Sequence, residues 1–186
     1  MGRIGVLISG GGTNLQAIID ACATGVIVGE VVAVISNKPD VYGVERAKKH
    51  DIPAHVTQDA QEKMAILAEA EVDLVVLEGY IRKIQAAMIE RYPNRIVNVH
   101  PSLIPAFAGK GFYGLKVHEA AIARGVKVSG ATVHLVNEDL DAGPILEQET
   151  VPVLADDTPE TLQQRILTLE HQLLVRAIQH LLEGEA

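Results

Sequence analysis

The sequence predicts a single-domain α/β fold whose sheet is mostly parallel, with an antiparallel C-terminal extension and helices on both faces. Two observations indicate the parallel part. Candidate strands alternate with helices of about ten residues, and these strands are continuously apolar, as in a sheet covered on both faces. A third observation indicates the extension, since after Pro105 two candidate strands follow one another with only a polar loop between them.

The first half of the chain contains the candidate parallel strands and the helices between them. A β-branched run leads into the glycine loop 9–12, and apolar residues at helical spacing from Leu15 to Cys22 follow, which predicts strand, loop and helix. Pro53 precedes the third strand, and Pro93 ends the fourth helix. The predicted strands are 3–8, 30–35, 54–56, 72–77 and 96–99, and the predicted helices are 15–22, 42–51, 61–70 and 84–91.

The second half is predicted to add one helix, a pair of strands and a C-terminal helix. The strand pair is interpreted as an antiparallel, hairpin-like extension, because a polar turn with Asp139, Asp141 and Gly143 joins its members. The last helix has apolar residues at helical spacing, which indicates a face packed on the core. The predicted helices are 115–124 and 159–182, and the predicted strands are 127–136 and 145–153.

Composition argues against several classes of function. A hydrophobic content of 48% and a charged content of 22% are unlike those of a disordered chain. A net charge of −8 and the absence of Trp disfavour a nucleic-acid-binding surface. Cys22 is the single cysteine, no apolar run approaches the ~20 residues of a membrane span, and the histidines lack metal-binding spacing. We therefore expect a cytoplasmic protein without metal that contacts neither nucleic acid nor membrane.

A glycine-rich loop is the first candidate site. Residues 9–14 (SGGGTN) lie where a predicted strand passes to a helix N-terminus, so free backbone N–H groups and the helix dipole favour a phosphate or another anion. The loop has neither the Lys of a Walker A motif nor the GxGxxG spacing. The structural alternative is a tight turn in which Thr13 or Asn14 caps the helix. The loop by itself leaves both interpretations open.

Asn98 and His100 form the second candidate site, at the carboxyl end of the fifth predicted strand, where open α/β sheets bind ligands. Strand alternation places both side chains on one face. An amide donor and an imidazole that converge suit a reaction in which negative charge develops on a carbonyl oxygen. The alternative is that His100 only ends the strand before Pro101, and these residues alone favour neither interpretation.

The acidic turn 137–144 is the third candidate site. Asp and Asn favour turns through local hydrogen bonds, which is a sufficient structural explanation. A functional explanation requires a carboxylate next to His100, which would orient the imidazole and raise its pKa above about 6.5, so that it becomes a usable acid near neutral pH. His134, on a predicted strand, is interpreted as structural rather than catalytic.

Seven segments occur in the order that is typical of one enzyme family: SGGGTNLQAIIDA, SNKPDVYGVERA, LEGYIRKI, NVHPSLIP, SGATVHLV, DLDAGPIL and LEHQLL. Together they resemble the folate-dependent formyltransferases. The NxHPSLLP motif followed by an Asp-x-Gly-Pro turn is specific for the family, and the SGxG(S/T)NL loop is typical of the branch that formylates glycinamide ribonucleotide. The resemblance covers almost the whole chain.

The resemblance implies a Rossmann-like formyltransferase domain over residues 1–186, with a nucleotide-binding half (1–100) and a folate-binding half with the C-terminal helix (101–186). It implies that the amine of glycinamide ribonucleotide takes the formyl group of the co-substrate 10-formyltetrahydrofolate in purine biosynthesis, without a metal. Formyltetrahydrofolate deformylase and a non-catalytic nucleotide-binding module are the alternatives. A monomer and a homodimer both remain open.

The resemblance also implies roles for individual residues. Asn98 would donate to the oxyanion, His100 would donate the proton, and Asp141 would hold and charge His100. Glu78 stands where the family usually has a small residue. The ribonucleotide would contact Gly11, Gly12, Thr13, Asn14 and Glu170, and the folate would contact Ile81, Arg82, Lys83, Ile84, Asn98, Asn137, Glu138, Asp139, Leu140 and Asp141.

Overall fold

The computed structural model describes residues 1–80 and 82–184. Every predicted strand and helix is found in this part of the chain, with ends that agree to within two residues. The strands are β1 (Gly2–Ile8), β2 (Gly29–Ser36), β3 (Ala54–Val56), β4 (Leu74–Glu78), β5 (Ile96–His100), β6 (Val128–Leu135) and β7 (Ile145–Pro152). The helices are α1 (Thr13–Ala23), α2 (Tyr42–Lys49), α3 (Ala60–Glu69), α4 (Ala86–Arg91), α5 (Leu115–Arg124) and α6 (Pro159–Glu183).

The strands form one sheet in the order β3-β2-β1-β4-β5-β6-β7. The five strands from β3 to β5 in this order are parallel, whereas β6 is antiparallel to both β5 and β7. The predicted fold class is therefore confirmed, including the antiparallel extension. Because the chain leaves β1 towards β2 and later returns to β4 on the other side, the order reverses between β1 and β4. A crevice at the carboxyl ends of the strands is expected at this point.

Two apolar clusters cover the two faces of the sheet, as continuously apolar strands require. Ile4, Val6 and Ile8 of β1 belong to the cluster under α1 and α6, and Leu7 belongs to the cluster under α3 and α4. The same alternation along β4 sends Leu74 and Val76 to the first face. Alternate side chains of a central strand thus pack against opposite helical layers. The same alternation determines the direction in which the polar side chains at the strand ends point.

Helix α6 is the longest helix of the described part of the chain and contributes a continuous buried stripe from Leu162 to Leu181. It begins with a capping box in which Thr158 and Thr161 bond each other's backbone N–H groups. Glu170 is a buried polar residue within this apolar stripe. None of the helices within residues 1–80 and 82–184 combines the length and the apolar character needed to cross a membrane.

Candidate active site

Two of the three predicted sites follow parallel strands at the carboxyl edge of the sheet, and the third, the acidic turn, joins β6 to β7. The glycine loop follows β1, Asn98 and His100 end β5, and the acidic turn enters β7. A cavity of about 290 Å³ opens beside β5. Its lining includes Gly79, Tyr80, Asn98, His100, Phe112 and Asp141. The structure therefore brings together the three residues that the sequence predicts as catalytic.

Asn98 holds both of its side-chain N–H bonds inside this cluster. Its Nδ2 donates to Asp141 Oδ1 at 3.4 Å and lies 3.2 Å from His134 Nε2. His134 Nδ1 lies 2.9 Å from the Leu135 carbonyl, which can only accept, so Nδ1 carries the proton and Nε2 accepts from Asn98. His134, which the sequence analysis interprets as structural, is thus in direct contact with the predicted oxyanion donor.

His100 has its two ring nitrogens in different surroundings. Nε2 lies 2.8 Å from the Phe107 carbonyl, so this nitrogen carries a proton in the neutral ring. Nδ1 lies 3.6 Å from Asp141 Oδ2 and is the nitrogen that gains the second proton. Burial lowers the pKa of His100 and outweighs the Phe107 carbonyl and Asp141, which raise it. The expectation that the carboxylate lifts this pKa above its ordinary value is wrong, because desolvation is the larger effect.

Asp141 is an ionised carboxylate at neutral pH despite its burial. Burial raises its pKa, but the His134 side chain, the charge on His100 and the Gly109 N–H together hold the pKa below its ordinary value. The Gly109 N–H donates to Oδ2 at 2.9 Å. The carboxylate is therefore anchored by the loop that follows β5 as well as by Asn98.

The acidic turn is shaped by a glycine that tolerates no side chain. A Cβ on Gly143 would collide with the Leu135 carbonyl, and the Leu135 N–H donates to the Pro144 carbonyl at 2.8 Å. Asp141 itself has a φ of 53°, in the left-handed region that Asp adopts more readily than most residues. The turn therefore has a constrained backbone geometry that its Asp and Asn content alone does not require.

The segment after His100 is held against β6. Thr132 Oγ1 donates to the Ser102 carbonyl at 2.7 Å and accepts from the Ile104 N–H at 3.2 Å. Ser102 Oγ in turn donates to the Ala106 carbonyl. These bonds position the Phe107 carbonyl that accepts from His100 Nε2, so they determine which ring nitrogen faces Asp141.

The glycine loop ends at the N-terminus of α1, where the buried Glu78 carboxyl lies near the N–H groups of residues 13–15. Gly12 occupies the N-cap position of α1, and no side chain caps the helix there, so the alternative with Thr13 or Asn14 as the cap is wrong. Gly12 has a φ of 73°, and a Cβ on it would lie 2.6 Å from Gly43 Cα. Two independent constraints therefore require glycine at this position. Gly11 is exposed, with open space where a Cβ would stand.

Asn14 and Glu170, two of the predicted ribonucleotide-contacting residues, are hydrogen-bonded to each other, although 156 positions separate them in the sequence. Asn14 Nδ2 donates to Glu170 Oε2 at 3.2 Å, and both side chains are buried. Burial raises the pKa of Glu170 to about 7, while the Asn14 amide lowers it and the nearby Glu78 raises it. Helix α6 thus places a buried carboxyl against the first turn of α1.

Arg46 of α2 is a residue of this end that the sequence reasoning missed. Its Nε donates to the Gly11 carbonyl at 2.8 Å, and its guanidinium lies over the Tyr42 ring, 4.7 Å from the centroid. The Gly43 N–H donates to the Gly10 carbonyl, which draws α2 against the loop. The loop therefore has a positive charge beside it, although its own residues include neither Lys nor Arg.

The predicted folate-contacting residues lie around one narrow cavity of about 50 Å³, next to Asn98. Leu77, Tyr80 and His134 add to its walls. Ile81 lies outside the described residues. The predicted residues that line the cavity are Arg82, Lys83, Ile84, Asn98, Asn137, Glu138, Asp139, Leu140 and Asp141. Within the part of the chain that the structure describes, no group of three or more His, Cys, Asp or Glu could hold a metal ion.

The chain matches the family model described as Formyl transferase over residues 2–178 and therefore belongs to that family. It is 41% identical over 186 residues to the chloroplastic phosphoribosylglycinamide formyltransferase of Arabidopsis thaliana, covering 95% of this chain and 64% of the plant protein. It is 39% identical over 192 residues to the phosphoribosylglycinamide formyltransferase of Escherichia coli, covering 98% of this chain and 88% of the bacterial protein.

Solved structures agree with this membership. Glycinamide ribonucleotide transformylase 1 from Symbiobacterium toebii superposes with a TM-score of 0.92 at 46% identity, covering 99% of this chain and 89% of that one. A formyltetrahydrofolate deformylase from Pseudomonas syringae superposes with a TM-score of 0.88 at 29% identity, covering 98% of this chain and 62% of that one. The chain thus spans less than two thirds of the length of the deformylase and of the first plant relatives.

Proposed function

We propose that the protein transfers the formyl group of 10-formyltetrahydrofolate to the amine of glycinamide ribonucleotide. The observation that carries this proposal is the meeting of Asn98, His100 and Asp141 in one cavity at the carboxyl edge of β5. The relatives that are named for this reaction, at about 40% identity over nearly the whole chain, support it.

The two substrates would enter from opposite ends of the crevice. The uncapped N–H groups of the glycine loop and the Arg46 guanidinium suit the 5′-phosphate, and Glu170 with Asn14 suits the ribose hydroxyls. The predicted folate-contacting residues line the narrow cavity beside Asn98, which must widen to admit the flat pterin of the folate. Each substrate would contact residues from both proposed halves of the domain. Glu170, from residues 101–186, would contact the ribonucleotide, and Asn98, from residues 1–100, would contact the folate.

The chemistry follows from the charge that develops on the formyl oxygen. The amine nitrogen bonds to the formyl carbon, and the carbonyl electron pair moves to the oxygen, which Asn98 and His100 stabilise by donating to it. The proton of the attacking nitrogen passes through the pair of His100 and Asp141 to the departing folate nitrogen. The bond between carbon and this nitrogen then breaks, and the oxygen electron pair restores the carbonyl.

The resting geometry places a condition on this mechanism. Asn98 already uses both N–H bonds, so it must release one acceptor before it can bind an oxyanion. The 3.4 Å bond to Asp141 is the longer of the two contacts and is the one we expect to exchange. His100, whose pKa is lowered by burial, gains proton affinity as the oxyanion forms beside it.

The test is an assay of folate absorbance with and without glycinamide ribonucleotide. We expect tetrahydrofolate to form only when the amine is present, with His100→Ala as the inactive control. Equal turnover without the amine would instead assign the protein to the deformylases, in which water replaces the amine. Absence of turnover in both conditions contradicts the proposed enzyme activity.

Gly12→Ala is expected to weaken ribonucleotide binding while leaving the folate end intact. The new Cβ would lie 2.6 Å from Gly43 Cα at a positive φ, so the loop must move away from α2. Losing aligned donors to a charged group costs roughly 1.5–3 kcal/mol, which corresponds to a rise of about ten- to hundredfold in KM for the ribonucleotide. Steady-state kinetics with each substrate varied in turn measures this effect.

Gly10→Ala is the matched control for this variant. Gly10 has no positive φ, and a Cβ on it would meet nothing within 4 Å. We expect its KM for the ribonucleotide to stay near that of the wild type. A Gly12→Ala variant that also keeps the wild-type KM would contradict the assignment of the phosphate to this loop.

A further inference from the structure

Glu78 is a buried acidic residue that the proposed reaction does not use. It ends β4, pairs in register with Ile8 of β1, and its residue surface is 7% exposed. The alternation along β4 sends its side chain to the face covered by α1 and α6. Its Oε2 is buried and finds no hydrogen-bond partner among residues 1–80 and 82–184. A polar atom left in this way is costly unless something else binds it.

The groups around the Glu78 carboxyl come from three helices. The backbone N–H groups of residues 13–15, in the first turn of α1, and the Arg46 guanidinium of α2 favour its ionised form. Glu170 of α6 is close enough for the two carboxyl groups to raise each other's energy when both are charged. Burial and, to a smaller extent, the Arg46 charge lower the pKa of His171 of α6.

Burial is the largest influence on this carboxyl and raises the pKa of Glu78 from its ordinary value of 4.5 to about 7, against the N–H groups and Arg46. Glu78 and Glu170 are therefore two buried acids that both gain or lose a proton near neutral pH. The charge on one carboxyl raises the pKa of the other. The geometry supplies the reason, since both side chains are buried on the sheet face covered by α1 and α6, where little water reaches them.

The same first-turn N–H groups are those that a phosphate at the glycine loop would use. An ionised Glu78 carboxylate interacts with these N–H groups from the inner side of the turn, and its negative charge repels the phosphate. A protonated Glu78 leaves them free and adds an O–H donor for a phosphate oxygen. The unpartnered Oε2 is the atom that would carry this proton.

We propose that Glu78 is a specificity-determining residue of the ribonucleotide site, which accepts the substrate phosphate only when the Glu78 carboxyl holds a proton. The identity of the natural ligand rests on the proposed function, but the anion site does not. Binding of a phosphomonoester is therefore coupled to the uptake of a proton. Its dissociation constant rises by up to tenfold per pH unit above about pH 7.

The direct test is calorimetric titration with ribose 5-phosphate in two buffers that differ in ionisation enthalpy, for the wild type and Glu78→Gln. Gln has the size of Glu and stays neutral at every pH. We expect the wild type to take up about three quarters of a proton more than the variant at pH 7.5, because roughly a quarter of Glu78 is already protonated there. The second ionisation of the phosphate, near pH 6, contributes equally to both proteins and cancels in the difference.

Three outcomes separate this inference from the proposed function. Equal proton uptake and equal pH dependence in both proteins overturn the role of Glu78, whether or not formyl transfer occurs. Proton-linked binding that is lost in Glu78→Gln supports the inference, and if formyl transfer is absent at the same time, only the proposed function fails. Ribose 5-phosphate that binds neither protein overturns the phosphate site, and the inference with it.

Unfolding measurements provide a test without ligand. A pKa raised from 4.5 to about 7 means that native Glu78 keeps a proton that the unfolded chain has lost, so its contribution to the free energy of unfolding falls between these pH values and then levels off. The buried histidines, whose pKa values are lowered, contribute a rise with pH in both proteins, so the contribution of Glu78 is read from the difference between the urea titrations of the wild type and Glu78→Gln. This difference should fall as the pH rises from 4.5 to about 7. Parallel curves for the two proteins would show that Glu78 does not titrate in this range and would overturn the inference.

Discussion

Replacement of Asp141 by Asn is expected to lower kcat by about 10⁴-fold, as when the aspartate that supports a catalytic histidine is made neutral. Asp141 accepts from the Gly109 N–H at one oxygen and from Asn98 Nδ2 at the other. An amide has only one accepting oxygen, so in either orientation its NH₂ group faces another donor. The substitution therefore disturbs Asn98 as well as His100.

The pH dependence of this variant separates an electrostatic role from a structural one. Burial lowers the pKa of His100, and the Asp141 carboxylate partly offsets this effect by raising it. Removing the carboxylate charge should therefore lower the pKa of His100 further. The limb of the kcat profile that reports His100 should move to lower pH in Asp141→Asn. Asp156→Asn, in the exposed turn before α6, is the matched control and should keep the wild-type profile. An unshifted profile in Asp141→Asn would contradict the proposed coupling.

The fold could be predicted because parallel strands buried on both faces are continuous apolar runs. The ends of the elements depend on bonds that periodicity does not reveal. The fourth strand is predicted from Val72, but the Val72 N–H donates to the Leu67 carbonyl and completes the turn after α3, so β4 begins at Leu74.

The candidate site could be predicted only where its members share one strand or a family motif. Asn98 and His100 are two positions apart on β5, so alternation is enough to place them on one face. His134 contacts Asn98 because β6 pairs with β5 in a register that puts the two residues opposite each other. That register, like the approach of Arg46 to Gly11, is set by tertiary packing and leaves no local signal in the sequence.

The pKa of His100 shows a second limit of sequence reasoning. The motif correctly pairs an acid with an imidazole, and the acid does raise the pKa. The net direction depends on how much water the folded chain removes from the ring, and this amount comes from the loop that carries Phe107 and from α5 with the buried His118. Desolvation of a site depends on the residues that pack around it in the folded chain, and these residues are distant from the motif in the sequence.

Asn98→Ala is expected to lower kcat by about 10² to 10³-fold, the usual effect of removing one oxyanion donor, with little change in either KM. The side chain is half-buried, and the pairing of β5 with β4 and β6 uses the backbone, so the variant should fold. Its loss of stability should be about 0.5–1.5 kcal/mol, the net value of a hydrogen bond. Kinetics and urea unfolding of the same sample separate the two effects.

His134 variants show whether Asn98 acts as a positioned donor. In the resting site His134 Nε2 accepts one Asn98 N–H, which leaves the other, on Asp141, as the bond that exchanges with the oxyanion. His134→Gln keeps an accepting atom and should retain much of the activity, whereas His134→Ala frees the amide and should approach Asn98→Ala in kcat. Because His134 lines the folate cavity but makes no contact with the reacting atoms in this mechanism, both variants should change kcat more than either KM. Equal activity of His134→Ala and the wild type would mean that Asn98 needs no support, and a full rate in Asn98→Ala would remove the oxyanion role itself.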